Sequence, residues 1–147
     1  MQAEDGIRYL VRSRGLGDVY KRQVELVPES IADAHLNAEF NGITNVSFTV
    51  GDMKKIFDIA FVSKHGKPDV VITDPPRAGM DEPVVRQLLE LAPPVIIYVS
   101  CNPATQARDL ALMNDSYLID FVQPIDMFPH TYHVENVVRL VRRTTKE

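Results

Sequence analysis

Three short segments of this chain gather residue types that could make and break bonds. The first, YVSCNPAT (98–105), holds the only cysteine, Cys101, between an apolar β-branched run and Pro103. The thiol stands where a buried strand gives way to a loop, and Pro103 suits the first turn of a helix. The positive end of a helix dipole favours negative charge beside it, which makes Cys101 a candidate nucleophile. The competing reading is a small, inert core residue, the commoner fate of a lone cysteine.

The second segment is DPPRAG (74–79). Asp74 could accept hydrogen bonds from a ligand, the paired prolines fix an extended turn, and Arg77 could fork onto a phosphate or a carbonyl. A plain proline turn with a solvated arginine is the alternative. The third, IDMFPHTYHVE (125–135), sets aromatics, His130, His133 and Glu135 in one loop. Such loops are more often plain surface turns, and His130 or His133 alone would more often be structural than catalytic.

These segments need a scaffold, and the sequence alternates strand and helix from Val24 onward. Strands are expected at 24–27, 45–52, 68–76, 94–101, 117–128 and 134–143. Helices are expected at 28–41, 53–64, 81–91 and 103–113, with Pro28 at one helix start and Gly42 at its stop. Repeated strand–helix units closed by a strand pair imply a mostly parallel, doubly wound α/β sheet with helices on both faces. In such sheets ligands collect at the carboxyl ends of strands. Glu25 and Asp52 fall at two of those ends, where a local cap or turn role competes with ligand binding.

Residues 1–23 do not share this pattern. They carry five basic and three acidic residues, a net of +2 within a chain of −4, and have no clear period. This segment resembles translated adapter or assembly sequence joined to a truncated reading frame; a natural basic arm is the alternative. Gly15-Leu16-Gly17 cannot be a dinucleotide glycine loop, because no helix and second strand fit between it and Glu25. The expected organisation is therefore a leader over 1–23 and one catalytic segment over 24–147.

Composition narrows the classes further. A single cysteine excludes an internal disulfide framework, a Cys-rich zinc site and a four-cysteine iron–sulfur cluster within the chain. No apolar run reaches the length of a membrane span and no signal peptide pattern is present. A reducing, cytoplasmic setting follows. The acidic balance argues mildly against strong nucleic-acid binding by this chain alone.

Taken together, DPPRAG, IIYVSCNPAT and IDMFPHTYHVE, in that order, resemble the RNA uracil-5-methyltransferase family, over about residues 24–147. The resemblance implies a Rossmann-like class I S-adenosylmethionine-dependent methyltransferase fold, N-terminally truncated, with its first strand and glycine loop missing. It implies Cys101 as nucleophile and Glu135 as the base for the C5 proton. Glu25, Asp52 and Asp74 would hold S-adenosylmethionine, and Arg77 the RNA or the uracil; no metal is required. The implied substrate is RNA, 23S ribosomal RNA ahead of transfer RNA, and the parent protein a monomer acting without a membrane.

Two departures from this reading are also expected from the sequence. The missing first strand and glycine loop imply a fragment inactive by itself, with exposed sheet edges; a vestigial RNA-binding piece is one alternative. An amino-group methyltransferase also uses an Asp-Pro-Pro turn, but would place an aromatic where Arg77 stands and needs no cysteine.

Overall fold

The computed structural model describes residues 20–56, 59–127 and 129–144. Most of the 1–23 leader, Gly15-Leu16-Gly17 included, and Phe128 of the third motif lie outside the described residues. The described chain forms two compact units, divided at Ile56 and Phe57.

In the first unit, β1 (Lys21–Glu25) pairs in parallel with β2 (Val46–Val50), and α1 (Pro28–Phe40) connects them. β1 begins three residues before the expected strand. Its KRQ start lacks an apolar signal, but backbone pairing from Lys21 opposite Val46 needs none. Helix α1 starts on Pro28, whose missing N–H costs nothing in a first turn. It ends at Asn41 and Gly42, and Gly42 takes the left-handed φ of 62° that terminates helices. Ile31, Ala34 and Ala38 form its buried stripe at helical spacing. The short helix α2 (Met53–Ile56) closes the unit.

The second unit holds a four-stranded sheet in the order β3-β4-β6-β5, where β3 is Val70–Thr73, β4 Val95–Ser100, β5 Tyr117–Ile125 and β6 Glu135–Arg142. β3 and β4 run parallel; β6 is antiparallel to both β4 and β5. Helices α3 (Ile59–His65), α4 (Glu82–Leu91) and α5 (Pro103–Met113) complete it. The helix expected over 53–64 is described as α2 and α3, and residues 57–58 between them lie outside the described residues.

The core of this unit lies on one face of the sheet. Val71, Ile96, Tyr98, Val138 and Leu140 meet Val85, Leu88 and Leu91 of α4 and Met113 of α5. Alternation along β4 buries Ile96, Tyr98 and Ser100 and leaves Ile97 and Val99 half-buried. Along β3 it buries Val71 and exposes Val70 and Ile72. In this unit the covered face is therefore the one under α4 and α5, where the sequence had suggested helices on both.

Candidate active site

Four of the six residues singled out by the sequence belong to the second unit, at the carboxyl ends of β3 and β4 and the amino end of β6. Cys101 directly follows β4, is half-buried, and precedes the first turn of α5. That turn is firmly built. Asn102 Oδ1 accepts from Ala104 N at 3.1 Å as the helix cap. Ser100 Oγ accepts from Asn102 N and donates to Asn102 O, both at 3.1 Å.

Glu135 opens β6. The β4–β6 register pairs Val95 with Val141 and continues to Ser100 with Asn136. The ladder ends at that pair, and Cys101 and Glu135 are each the next residue beyond it. Candidate nucleophile and candidate base thus flank the same end of the β4–β6 pairing, although 34 positions separate them in sequence.

The DPPRAG turn begins with Asp74 immediately after β3 and is fastened at nearly every residue. Thr73 Oγ1 donates to Met80 Sδ at 3.8 Å, and Gly79 N to Pro76 O at 2.8 Å. Asn102 Nδ2 and Thr105 Oγ1 both donate to Arg77 O at 3.1 Å, tying the turn to the Cys101 loop. Gly79 has φ 82°, and a Cβ there would lie 2.6 Å from Asp109 Oδ2 and 2.8 Å from Arg108 NH2. Glycine is the residue this close approach permits.

Asp109 anchors the far side of that turn. Fully buried, it accepts from Met80 N and from Tyr98 OH, both at 2.7 Å, and pairs with the Arg108 guanidinium. Arg108 NH2 also donates to Ala78 O at 2.9 Å. Burial first, and then the Asp109 carboxylate, push the Tyr98 hydroxyl far above the usual phenol range. The sequence reading missed Asp109, Gln106 and Tyr98. Its available signal was two polar residues, Gln106 and Asp109, on the helix stripe that ends in buried Met113.

Arg77 turns its guanidinium toward the third motif. Its NH2 group lies 3.0 Å from Nε2 and 3.2 Å from Nδ1 of His133. The Tyr132 ring lies 4.2 Å from the His133 ring, centroid to centroid, and is itself exposed. Arg77 is thus tied to the Cys101 loop through its carbonyl and to His133 through its guanidinium, with Tyr132 against His133; His130 sits in the preceding turn.

Glu25 and Asp52 belong to the first unit. Glu25 ends β1, and its main-chain carbonyl accepts from Gly51 N at 2.9 Å, so the segments carrying the two acids leave the sheet together. Glu25 Oε1 accepts from Val27 N at 3.1 Å, and Asp52 O accepts from Lys55 N and Ile56 N. The local turn role considered for Glu25 is therefore real, while at Asp52 these bonds are made by the main chain. Leu26, Val27 and Val50 around them are exposed apolar residues.

Among the described residues, no group of three or more His, Cys, Asp or Glu side chains could hold a metal ion. No helix among them is long and apolar enough to cross a membrane.

The parallel β1–β2 and β3–β4 pairs, with their helices and the antiparallel β5–β6 end, have the arrangement of a truncated Rossmann-like class I methyltransferase fold. The N-methyltransferase NodS of Bradyrhizobium japonicum, in complex with S-adenosyl-L-homocysteine, shares that fold: TM-score 0.64 at 8% identity, over 84% of this chain and 66% of that one. More specifically, the chain belongs to the tRNA (uracil-5-)-methyltransferase family, whose model matches residues 19–143. It is 58% identical over 120 residues to an uncharacterised RNA methyltransferase of Bacteroides thetaiotaomicron, and 59% identical over 123 residues to one of Porphyromonas gingivalis. Each match covers 82% of this chain but 26% of the relative, so the chain spans about a quarter of their length. Among solved structures, the Pyrococcus abyssi tRNA (uracil-54, C5)-methyltransferase bound to S-adenosyl-L-homocysteine superposes with TM-score 0.71 at 39% identity, covering 82% of this chain and 28% of that one.

Proposed function

We propose that this chain carries the reacting part of an enzyme that methylates C5 of uridine in RNA. The observation that supports this most is the β4–β6 register, whose last pair, Ser100 with Asn136, directly adjoins both Cys101 and Glu135. Uracil C5 is a poor carbon nucleophile, so the ring must first be activated. Addition of the Cys101 thiolate to C6 moves the ring electrons onto C5 and O4, and C5 can then accept a methyl group. Glu135 removes the C5 proton, and the electrons of that C–H bond restore the C5–C6 double bond as the Cys101 thiolate leaves. A base stacked in a helix cannot be reached, so the target uridine must be flipped out. Arg77, braced by His133, would contact the uracil or its phosphate.

The donor set fits S-adenosylmethionine, which when bound supplies the electrophilic methyl group. Glu25 and Asp52 offer carboxylate acceptors at one sheet end, suited to ribose hydroxyls and an adenine amine. The exposed Leu26, Val27 and Val50 offer apolar surface to the ring. Asp74 would serve the same ligand beside the target base.

For the substrate we favour a uridine of 23S ribosomal RNA. A transfer RNA substrate is the second reading, favoured by the 39% identity to the Pyrococcus abyssi enzyme. Matched ribosomal and transfer RNA transcripts, scored for 5-methyluridine, separate the two.

The assay requires the whole catalytic length, so residues 24–147 replace the matching segment of the Bacteroides thetaiotaomicron relative. The 147-residue chain by itself is expected to be inactive. In the chimera, Glu135→Gln should accumulate a methylated covalent complex with unmodified RNA, visible as a protein band of retarded mobility. Free turnover by that variant would remove Glu135 from its role as base.

A further inference from the structure

Gln106 is a polar residue in the wrong place for a core. It is almost completely buried, on the face of α5 that packs against the sheet. Burying an amide is costly unless its hydrogen-bonding groups are matched, and here they are. Gln106 Nε2 donates to Tyr98 O at 2.9 Å on β4 and to Asn136 O at 3.2 Å on β6. Asn136 Nδ2 returns a bond of 2.6 Å to Gln106 Oε1. Two amides thus grip one another while one of them also holds the backbone of both strands.

The need for this grip is local. On its other side Asn136 is in register with Pro124 of β5, which has no N–H to offer the Asn136 carbonyl. The β5 ladder resumes at Ile125 opposite Glu135, but toward β4 the pairing ends at Ser100 opposite Asn136, so on that side the Gln106 bonds are what ties the start of β6 to β4. Cys101 and Glu135 lie one step beyond that last pair.

We propose that Gln106 and Asn136 form a positioning clamp that holds Glu135 opposite Cys101. Neither residue touches the reacting atoms; both act through the placement of the next residue in the chain. The inference rests on the reading of Cys101 and Glu135 as nucleophile and base, but the clamp itself can be measured without methyl transfer.

Glu135→Cys would put a second thiol, like the chain's only native one, one residue beyond the Ser100–Asn136 pair. A disulfide spans a Cα separation of roughly 4.4–6.8 Å, so its formation tests the proposed opposition directly. Equilibration of this parent with glutathione disulfide, which takes up the two electrons and becomes two glutathiones, gives the effective concentration of one thiol at the other. Adding Gln106→Leu, or separately Asn136→Thr, should lower that value about fivefold or more, the size of one or two hydrogen bonds. Val85→Ala, a cavity in the α4 side of the same core, should lower the melting temperature and leave the effective concentration unchanged.

If both clamp variants match the parent, or all three variants lower the value in step with stability, Gln106 and Asn136 are ordinary core residues and the proposal fails. A parent that forms no 101–135 disulfide refutes the opposition on which the clamp depends. A chimera that fails to methylate while the clamp effects persist removes the enzymatic reading and leaves the geometry standing.

Discussion

At the scale of single residues, the chain exposes how far chemistry can be read from type and spacing. The places of Cys101 and Glu135 at strand boundaries were legible, because each sits in a long motif where an apolar run begins or ends. Asp109 was not, since an acid in a helix reads as solvated until its burial is seen. Its partner Tyr98 yields a pH prediction. The folded chain holds the Tyr98 proton to higher pH than the unfolded chain, whose tyrosines ionise near their ordinary value. The stability this contributes is fully present below that ordinary value and is lost as pH rises above it. Tyr117, whose hydroxyl is raised by burial and lowered in part by Arg142, adds to the same limb. In urea unfolding followed across the alkaline range, Tyr98→Phe should show a shallower loss than the native chain, and cost about 1 kcal/mol at neutral pH through the donor taken from Asp109. Equal slopes would mean that Tyr98 ionises alike in both states.

At the scale of elements, α5 is the anchor. Its first turn carries the Asn102 cap and holds the Arg77 carbonyl, its Gln106 reaches β6, and its Asp109 holds Met80. The sequence located the strands and helices because apolar runs and prolines mark them. It could not supply the register, since alternation along a strand says which face is buried and not which residue lies opposite. Nor did it mark the start of β1, where polar Lys21, Arg22 and Gln23 pair through backbone alone. The fit of the DPPRAG turn against α5 is close enough to test. Gly79→Ala must move Asp109 or Arg108 and hold alanine at positive φ, a strain of about 1–3 kcal/mol. A melting temperature unchanged from the native chain would show the turn to be free of α5.

At the scale of the whole molecule, what stands out is apolar surface. β3 is an edge strand that exposes Val70 and Ile72, and β5, the opposite edge, exposes Leu118, Ile119, Phe121 and Val122. Such surface binds hydrophobic dyes and promotes association. Ile72→Lys should reduce dye fluorescence and concentration-dependent light scattering while changing stability by no more than about 0.5 kcal/mol. Undiminished dye binding would place the sticky surface elsewhere. The overall charge of −4 gives the chain little general attraction for RNA; on the function proposed above, recognition within this chain would fall to local groups such as Arg77.

The central claim is that Cys101 attacks C6 of uracil, and RNA containing 5-fluorouridine tests it most directly. Fluorine at C5 cannot leave as a proton, so a methylated adduct that has formed by thiolate addition stays on the enzyme. The chimera should give a stable protein–RNA adduct that requires S-adenosylmethionine, maps by mass spectrometry to Cys101 and disappears in Cys101→Ala. An adduct that persists in Cys101→Ala would contradict the account.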